Sequence, residues 1–359
     1  MRTIFRVEKS RAYDILRVIA TIFVVVGHCT YFKISTNYGG CDYSYLFINA
    51  SYSFKIFNKL TEIIYIFHMP LFVALSGALF RKSLNKGNYS SFIALLKKKS
   101  KNLLIPFCVI TILYAIPIKF ISGYFNQSKD IAKDILVGQI MLQGNTHLWY
   151  LLTLFVIFVI AYLGERNIKT KQSIFLLFLI IISIGSGKIA IKLVSYICRF
   201  GLWFYVGMLF EEYRIYFEEK FSSVKNLLFW IDIILLIIYT ILSYNLVSFP
   251  IKLVFVFLKI ILAGLLCLTT YMISYFASGS RIMESKIFSI FRRDSFGIYL
   301  YSDPLNYIIL MVGATLFGGK LWSNEIYSIV FYLFRFFFTL GISIFITESL
   351  KKCRIKYIC

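Results

Sequence analysis

Apolar residues run along this chain in blocks of about twenty, each closed by a charge cluster, a glycine, a proline or an asparagine. Such windows fall at about 13–32, 60–80, 103–122, 147–164, 173–190, 194–212, 227–246, 252–276, 294–313 and 326–347. A bilayer core about 30 Å thick takes about 20 apolar residues per helix, so the pattern predicts about ten transmembrane helices. Within LLFWIDIILLIIYTIL and FLLFLIIISIG the apolar character is continuous. Strands of a membrane barrel would instead alternate over segments of about 10 residues. The expected fold class is therefore an all-α integral membrane protein, one bundle. The intervals between blocks are short and no internal repeat is visible, so residues 1–359 read as a single domain.

Composition places the blocks in a membrane rather than in a soluble core. The chain is 59% hydrophobic and 16% charged, against roughly 45–50% and about 25% in soluble domains. The N-terminal MRTIFRVEKSR is basic, but the run after it is too long for a secretory signal and no small-residue cleavage site follows, so the first helix is expected to be retained.

Loop charge then predicts orientation, because Lys and Arg of short loops accumulate on the cytoplasmic side. With the N-terminus inside, that side collects Arg2 to Arg11, Arg81 to Lys101, Arg166 to Lys171, Arg214 to Lys225, Arg281 to Arg293 and Lys351 to Lys356, most of the 39 basic residues. An even number of spans returns the C-terminus to the cytoplasm. The formal charge of +22 is then topology plus attraction to anionic lipid, which argues against nucleic acid as a partner. The expected location is the plasma (inner) membrane, multi-pass. Seven scattered cysteines without a CxxC pair support neither a metal site nor a disulfide framework.

Against this background, polar residues inside the blocks stand out. RAYDILRVIATIFVVVGH, residues 11 to 28, keeps Asp14, Arg17 and His28 in a run apolar enough to span. A charge at mid-bilayer costs at least about 2.5–3.5 kcal/mol. At about 100° per residue, Arg17 lies about 20° and Asp14 about 40° to either side of His28, so the three share one stripe. Arg17 sits roughly 16 Å below His28 along it. An interfacial Asp14–Arg17 pair and a hydrogen-bonding His28 would account for these residues structurally; a reactive stripe would account for them functionally.

The chain's other two histidines also lie at spans. His68 falls in FHMPLFVALSG, whose Pro70, Ser76 and Gly77 interrupt a helix at membrane depth, as tolerated beside a cavity. His147 opens HLWYL, where Trp149 and Tyr150 suit the interfacial aromatic belt. Arg199, Lys259 and Arg335 are further charges inside spans and are compatible with a transporter or flippase. Tyr38, Tyr43, Tyr45, Tyr52 and Tyr124, in the intervals 33–58 and 123–145, fit either a sugar-stacking face or the aromatic belt.

Taken in order, RAYDILRVIATIFVVVGH, FHMPLFVALSG, HLWYL and SFGIYLY before a proline resemble the acyltransferase family 3 integral membrane proteins. The resemblance runs from the first block to the ninth. It implies a ten-helix bundle that moves an acyl group, usually acetyl from acetyl-CoA, to a sugar hydroxyl of a surface polysaccharide or lipid-linked glycan. It implies an acyl-CoA as donor substrate and no bound cofactor. The family's helix-one Arg and His map onto Arg17 and His28, and its basic pair before the third helix maps loosely onto Lys98 and Lys101 of KKKSKNLLIP. Lysine lacks the bidentate fork with which arginine grips phosphate. Where relatives often carry a His before the ninth-helix proline, this chain has Ser302 and Asp303. Many relatives append a hydrolase-like domain; this chain ends at Cys359, so an acyl relay would use a separate protein.

The residues suit that chemistry independently. Transfer from a thioester to an alcohol needs a base for the hydroxyl proton, and imidazole titrates near 6.5. His28 is the expected base or transient acyl acceptor, with Arg17 orienting the donor and Asp14 orienting Arg17. Arg81, Lys98 and Lys101 are the expected phosphate contacts, and His68, His147, Trp149 and Asp303 the expected remaining substrate contacts. No metal is expected. The alternative is a transporter or flippase for a glycan or lipid-linked sugar.

Overall fold

The computed structural model describes residues 2–46, 49–167, 172–244, 249–353, 355 and 358. They form long helices: α1 (Arg2–His28), α2 (Tyr52–Asn85), α3 (Phe92–Ile121), α4 (Trp149–Asn167), α5 (Gln172–Gly185), α6 (Lys192–Glu212), α7 (Arg214–Ser223), α8 (Lys225–Tyr244), α9 (Phe249–Ala277), α10 (Lys286–Phe317) and α11 (Glu325–Lys352). Seven of them are long and apolar enough to cross a membrane: α2, α3, α6, α8, α9, α10 and α11. The protein is an all-α membrane protein. The other windows read from the sequence fall on helices outside that set: α4 and α5 are shorter apolar helices, and α1 carries Arg11, Asp14 and Arg17.

Local sequence explains where these helices begin. Ser51, Ser91 and Ser285 each accept a hydrogen bond from the backbone N–H three residues on, and Asn324 does so from Ile326 and Tyr327. Each satisfies an otherwise orphaned donor of the first turn. Helix α3 is irregular for a visible reason. Two wide turns, Ser100–Leu104 and Thr111–Ala115, each lead into an Ile-Pro pair, at Pro106 and Pro117. Proline cannot donate to the regular ladder, and a single π-turn absorbs the mismatch.

Burial ranks the helices. The spanning windows of α2 and α10 are each 61% buried, whereas that of α8 is 11% buried. The core is thus built on α2 and α10, with α1 packed against both and against α9. Small residues permit the closest approach. A Cβ on Gly77 would lie 2.0 Å from the Phe204 carbonyl oxygen, and one on Gly207 would lie 1.9 Å from that of Ala74, so α2 and α6 meet backbone to backbone.

At one end the chain leaves α1 and forms a two-stranded antiparallel hairpin, β1 (Lys33–Thr36) and β2 (Gly39–Asp42). The sequence pattern did not predict it. Gly39 turns it at φ +94°, a conformation glycine adopts freely, and Gly40 N–H donates to the Tyr124 carbonyl at 2.9 Å, docking the hairpin on the segment after α3. Lys33 hydrogen-bonds Asp42 and holds its carboxyl at about 2, below the ordinary value. We call this the hairpin end; the opposite end carries Arg11, Arg81 and Lys97 to Lys101 and is the basic end.

The glycine seam predicts a sharp steric effect. Gly207→Leu should lower the thermal midpoint of the purified protein and its membrane abundance, at a cost of about 1–3 kcal/mol or more. Gly264→Ala, whose added carbon meets nothing nearer than 3.7 Å, should behave as wild type. Equal stability of the two variants, read by thermal unfolding in detergent, would show that the α2–α6 contact does not limit packing.

Candidate active site

Two cavities of the bundle concern the candidate residues, one toward each end. The hairpin-end cavity is about 790 Å³ and holds all three histidines together with Asp303. His28 is the last residue of α1, His68 lies on α2 two residues before Pro70, His147 precedes α4, and Asp303 stands just before Pro304 on α10. Four separate chain segments therefore converge on one volume.

Asp303 organises it. Its Oδ1 contacts His28 Nδ1 and accepts from the Tyr31 hydroxyl at 2.9 Å. Its Oδ2 lies 3.6 Å from His147 Nδ1, and the fully buried Lys119 adds positive potential at the same carboxylate. A proton on His28 Nδ1 would face this carboxylate and leave Nε2 its lone pair. A buried carboxylate that fixes an imidazole in this tautomer prepares it as a base.

The other histidines are fixed by backbone. His68 Nδ1–H donates to the Ile64 carbonyl at 2.9 Å, one turn back, which leaves its Nε2 as acceptor. His147 Nε2–H donates to the Leu300 carbonyl at 3.0 Å, and its Nδ1 has no hydrogen-bond partner. A proton placed there would face Asp303. Trp149 forms a wall of the cavity through its rings' contacts with Tyr196 at 4.4 Å and Phe200 at 4.9 Å.

Arg335, a charge inside a span, proves to support the site. It is 1% exposed and donates to the His28 carbonyl at 3.0 Å, the Tyr31 carbonyl at 2.9 Å and Asn306 Oδ1 at 3.0 Å. It thereby satisfies carbonyls that the end of α1 would leave orphaned. Lys119 is similarly held, by Gln139 Oε1 at 2.7 Å and the Asn145 carbonyl.

The second cavity, about 500 Å³, lies toward the basic end and is lined by Arg17, Lys99, Asn102, Arg292 and Arg293 among others. Asp14 is 3.7 Å from Arg17 and 3.6 Å from Arg292, so it links α1 to α10. The expected phosphate contacts are distributed differently. Lys98 and Lys101 do not line this cavity; Lys99 does, with its ammonium 3.3 Å from the Phe158 ring centroid. Lys98 lies over Tyr89 at 5.4 Å. Arg81 is engaged by Glu165, through bonds of 2.7 and 2.8 Å, and by Glu212 at 3.5 Å. A paired arginine has few donors left for an anion.

Tyr299 lines both cavities and so forms the wall between them. Its hydroxyl donates to the His147 carbonyl at 2.8 Å, and its ring meets that of Tyr150 at 5.8 Å. The Tyr150 hydroxyl is in turn 2.8 Å from Ser76 Oγ.

Lys99, Lys119, Tyr31, Tyr299, Arg292, Arg293 and Arg335 were absent from the residues expected at the site. A charge inside an apolar run was the available signal for Lys119 and Arg335; nothing in the sequence singled out Tyr299 from the other tyrosines.

Fold and site together define a multi-pass membrane protein with an imidazole–carboxylate centre enclosed in its helices. The family model for acyltransferase family 3, described as an acyltransferase domain, matches residues 10–348, and the chain belongs to that family. It is a membrane acyltransferase. No curated protein matches the chain, and no solved structure does.

If Asp303 orients His28, Asp303→Asn should leave the helices in place but stabilise the wrong tautomer. A carboxylate-to-amide change of this kind elsewhere lowers turnover about 10⁴-fold. Acyl transfer measured on protein of normal abundance and thermal midpoint should fall by orders of magnitude; turnover within a factor of two would rule that role out.

Proposed function

We propose that the protein moves an acyl group, most simply acetyl from acetyl-CoA, to a hydroxyl of a surface polysaccharide or lipid-linked glycan. The observation that carries this reading is the pair of stacked cavities: a basic one suited to a phosphate-bearing carrier, and behind Tyr299 a histidine-rich one in which Asp303 prepares His28. In the proposed arrangement residues 1–359 act as one domain in the plasma membrane. Ten helices cross it, with α1, α4 and α5 joining the seven, and both termini and the basic end face the cytoplasm.

The reaction follows from that placement. Arg17, with Lys99, Arg292 and Arg293, neutralises the carrier's phosphates, and Asp14 keeps Arg17 and Arg292 aligned. The carrier's thioester arm reaches past Tyr150 and Tyr299. His28 Nε2 takes the proton of the acceptor hydroxyl as its oxygen attacks the thioester carbon. The C–O bond forms, the C–S bond breaks, and the proton passes to the departing thiolate. His68 Nε2 and the Trp149 wall position the sugar, and His147 Nδ1 stands as a second proton acceptor beside Asp303. Arg81, Lys98 and Lys101 contribute to the basic surface near the carrier rather than to its cavity.

The decisive comparison is between two replacements of one residue. His28→Ala and His28→Gln should both abolish transfer in protein of normal abundance, because glutamine keeps hydrogen bonding but cannot act as a base. A histidine that merely bridged helices would be worth about 0.6–2 kcal/mol and would be largely rescued by glutamine. Mass spectrometry of surface glycans with and without the protein reads the result, and full acylation in His28→Gln would overturn the assignment. Arg17→Lys should also lose much of the activity, since lysine lacks the planar fork.

Orientation has its own test. A reporter after Lys101 should read cytoplasmic and one after Asn37 extracytoplasmic. The reverse pair would remove the carrier from the basic cavity and sink the mechanism.

A further inference from the structure

Two cations of the hairpin-end cavity have no part in the mechanism above. Arg199 of α6 and Lys259 of α9 both line it. At about 1.5 Å per residue they lie roughly 10 and 15 Å in from the hairpin-end termini of their helices. Both are exposed, and Val194, Val254, Phe257 and Ile261 around them are exposed and apolar. This flank of the cavity faces hydrocarbon.

Unpaired charge is expensive there. Yet the two cations line the same cavity, and among the described residues neither has an acidic partner. Arg199 makes one long hydrogen bond, from Nε to Ser186 Oγ at 3.4 Å. Asp303, the carboxylate of the cavity, is occupied by His28 and Tyr31. The contrast with Arg335 is direct: that buried cation spends its donors on two carbonyls and an amide. Among the described residues, Ser186 Oγ is what Arg199 finds, and Lys259 meets no comparable set of acceptors.

We propose that Arg199 and Lys259 bind the phosphate or diphosphate of a lipid-linked acceptor, whose chain lies in the bilayer and whose sugar reaches the His28 cavity. A free anion would not need an approach from hydrocarbon, and a neutral glycolipid would leave both cations unpaired. Phosphate answers both demands, because arginine and lysine bind it strongly through charge-assisted hydrogen bonds. The inference narrows the acceptor class of the proposed function and rests on assigning this cavity to the acceptor.

The test is a binding titration, independent of acyl transfer. The full chain in phosphatidylcholine nanodiscs is titrated with farnesyl diphosphate, with farnesol, with inorganic phosphate, and with phosphatidylglycerol as competitor. Farnesyl diphosphate should bind at least tenfold more tightly than farnesol or phosphate, and should resist a tenfold excess of phosphatidylglycerol. R199Q/K259Q should lose roughly ten- to a hundredfold in affinity for the diphosphate and none for farnesol, at an unchanged thermal midpoint. R199K and K259R, which keep the charges, should retain most of it.

Equal binding of farnesol and its diphosphate by the wild-type chain would overturn the proposal without any variant. Full displacement by phosphatidylglycerol would reduce the two cations to bilayer anchors and overturn it equally. A chain that binds the diphosphate but transfers no acyl group would keep this inference and sink the proposed function. One that acylates neutral acceptors while ignoring the diphosphate would do the reverse.

Discussion

A carboxylate buried in a membrane bundle is the constraint around which this structure is arranged. Taking Asp303 out of water costs several kcal/mol unless opposing groups and hydrogen bonds meet it. They come from three places: His28 and Tyr31 at and just after the end of α1, His147 before α4, and Lys119 near the end of α3. Each demand on Asp303 is thus also a demand on helix position. Arg335 extends the arrangement to α11 by binding the carbonyls of His28 and Tyr31. Losing the side chain altogether, rather than exchanging it for the isosteric amide, would leave its partners unmet in a low-dielectric interior, so site and fold are coupled.

Periodicity made much of this legible and left particular parts hidden. The Asp14, Arg17 and His28 stripe followed from 100° steps, and the histidines stood out because they were few and all lay at spans. The helical class followed from continuous apolar runs. What periodicity does not carry is pairing at long range. Arg81 reads as a donor contact until Glu165, eighty-four positions on, is found against it. Lys99 differs from Lys98 by one step of the helix, and the wide turn that starts at Ser100 alters the phase just there. The hairpin was invisible because β1 and β2 are four residues each and lack a long alternating pattern.

Ser302 and Asp303 are the instructive case. They occupy a position where relatives often have histidine, and sequence resemblance could only register the departure. The structure places an imidazole there anyway: His147 approaches the same carboxylate from another segment. Chemistry associated with one position can be assembled from a different part of the chain, which a position-by-position comparison does not see.

Tyr299 carries a consequence of a different kind. Two cavities of about 500 and 790 Å³ are separated by its ring and a hydrogen bond to the His147 carbonyl. Water-filled cavities conduct the electrical potential inward, so the voltage across a membrane falls mainly over whatever insulator remains between them. At about 2.3 kcal/mol per elementary charge per 100 mV, an ion at that ring would feel most of the field over a few ångströms. A neutral acyl group would feel none of it. Tyr299 is therefore placed where a thin dielectric can pass an uncharged fragment at no electrical cost while holding back protons and ions.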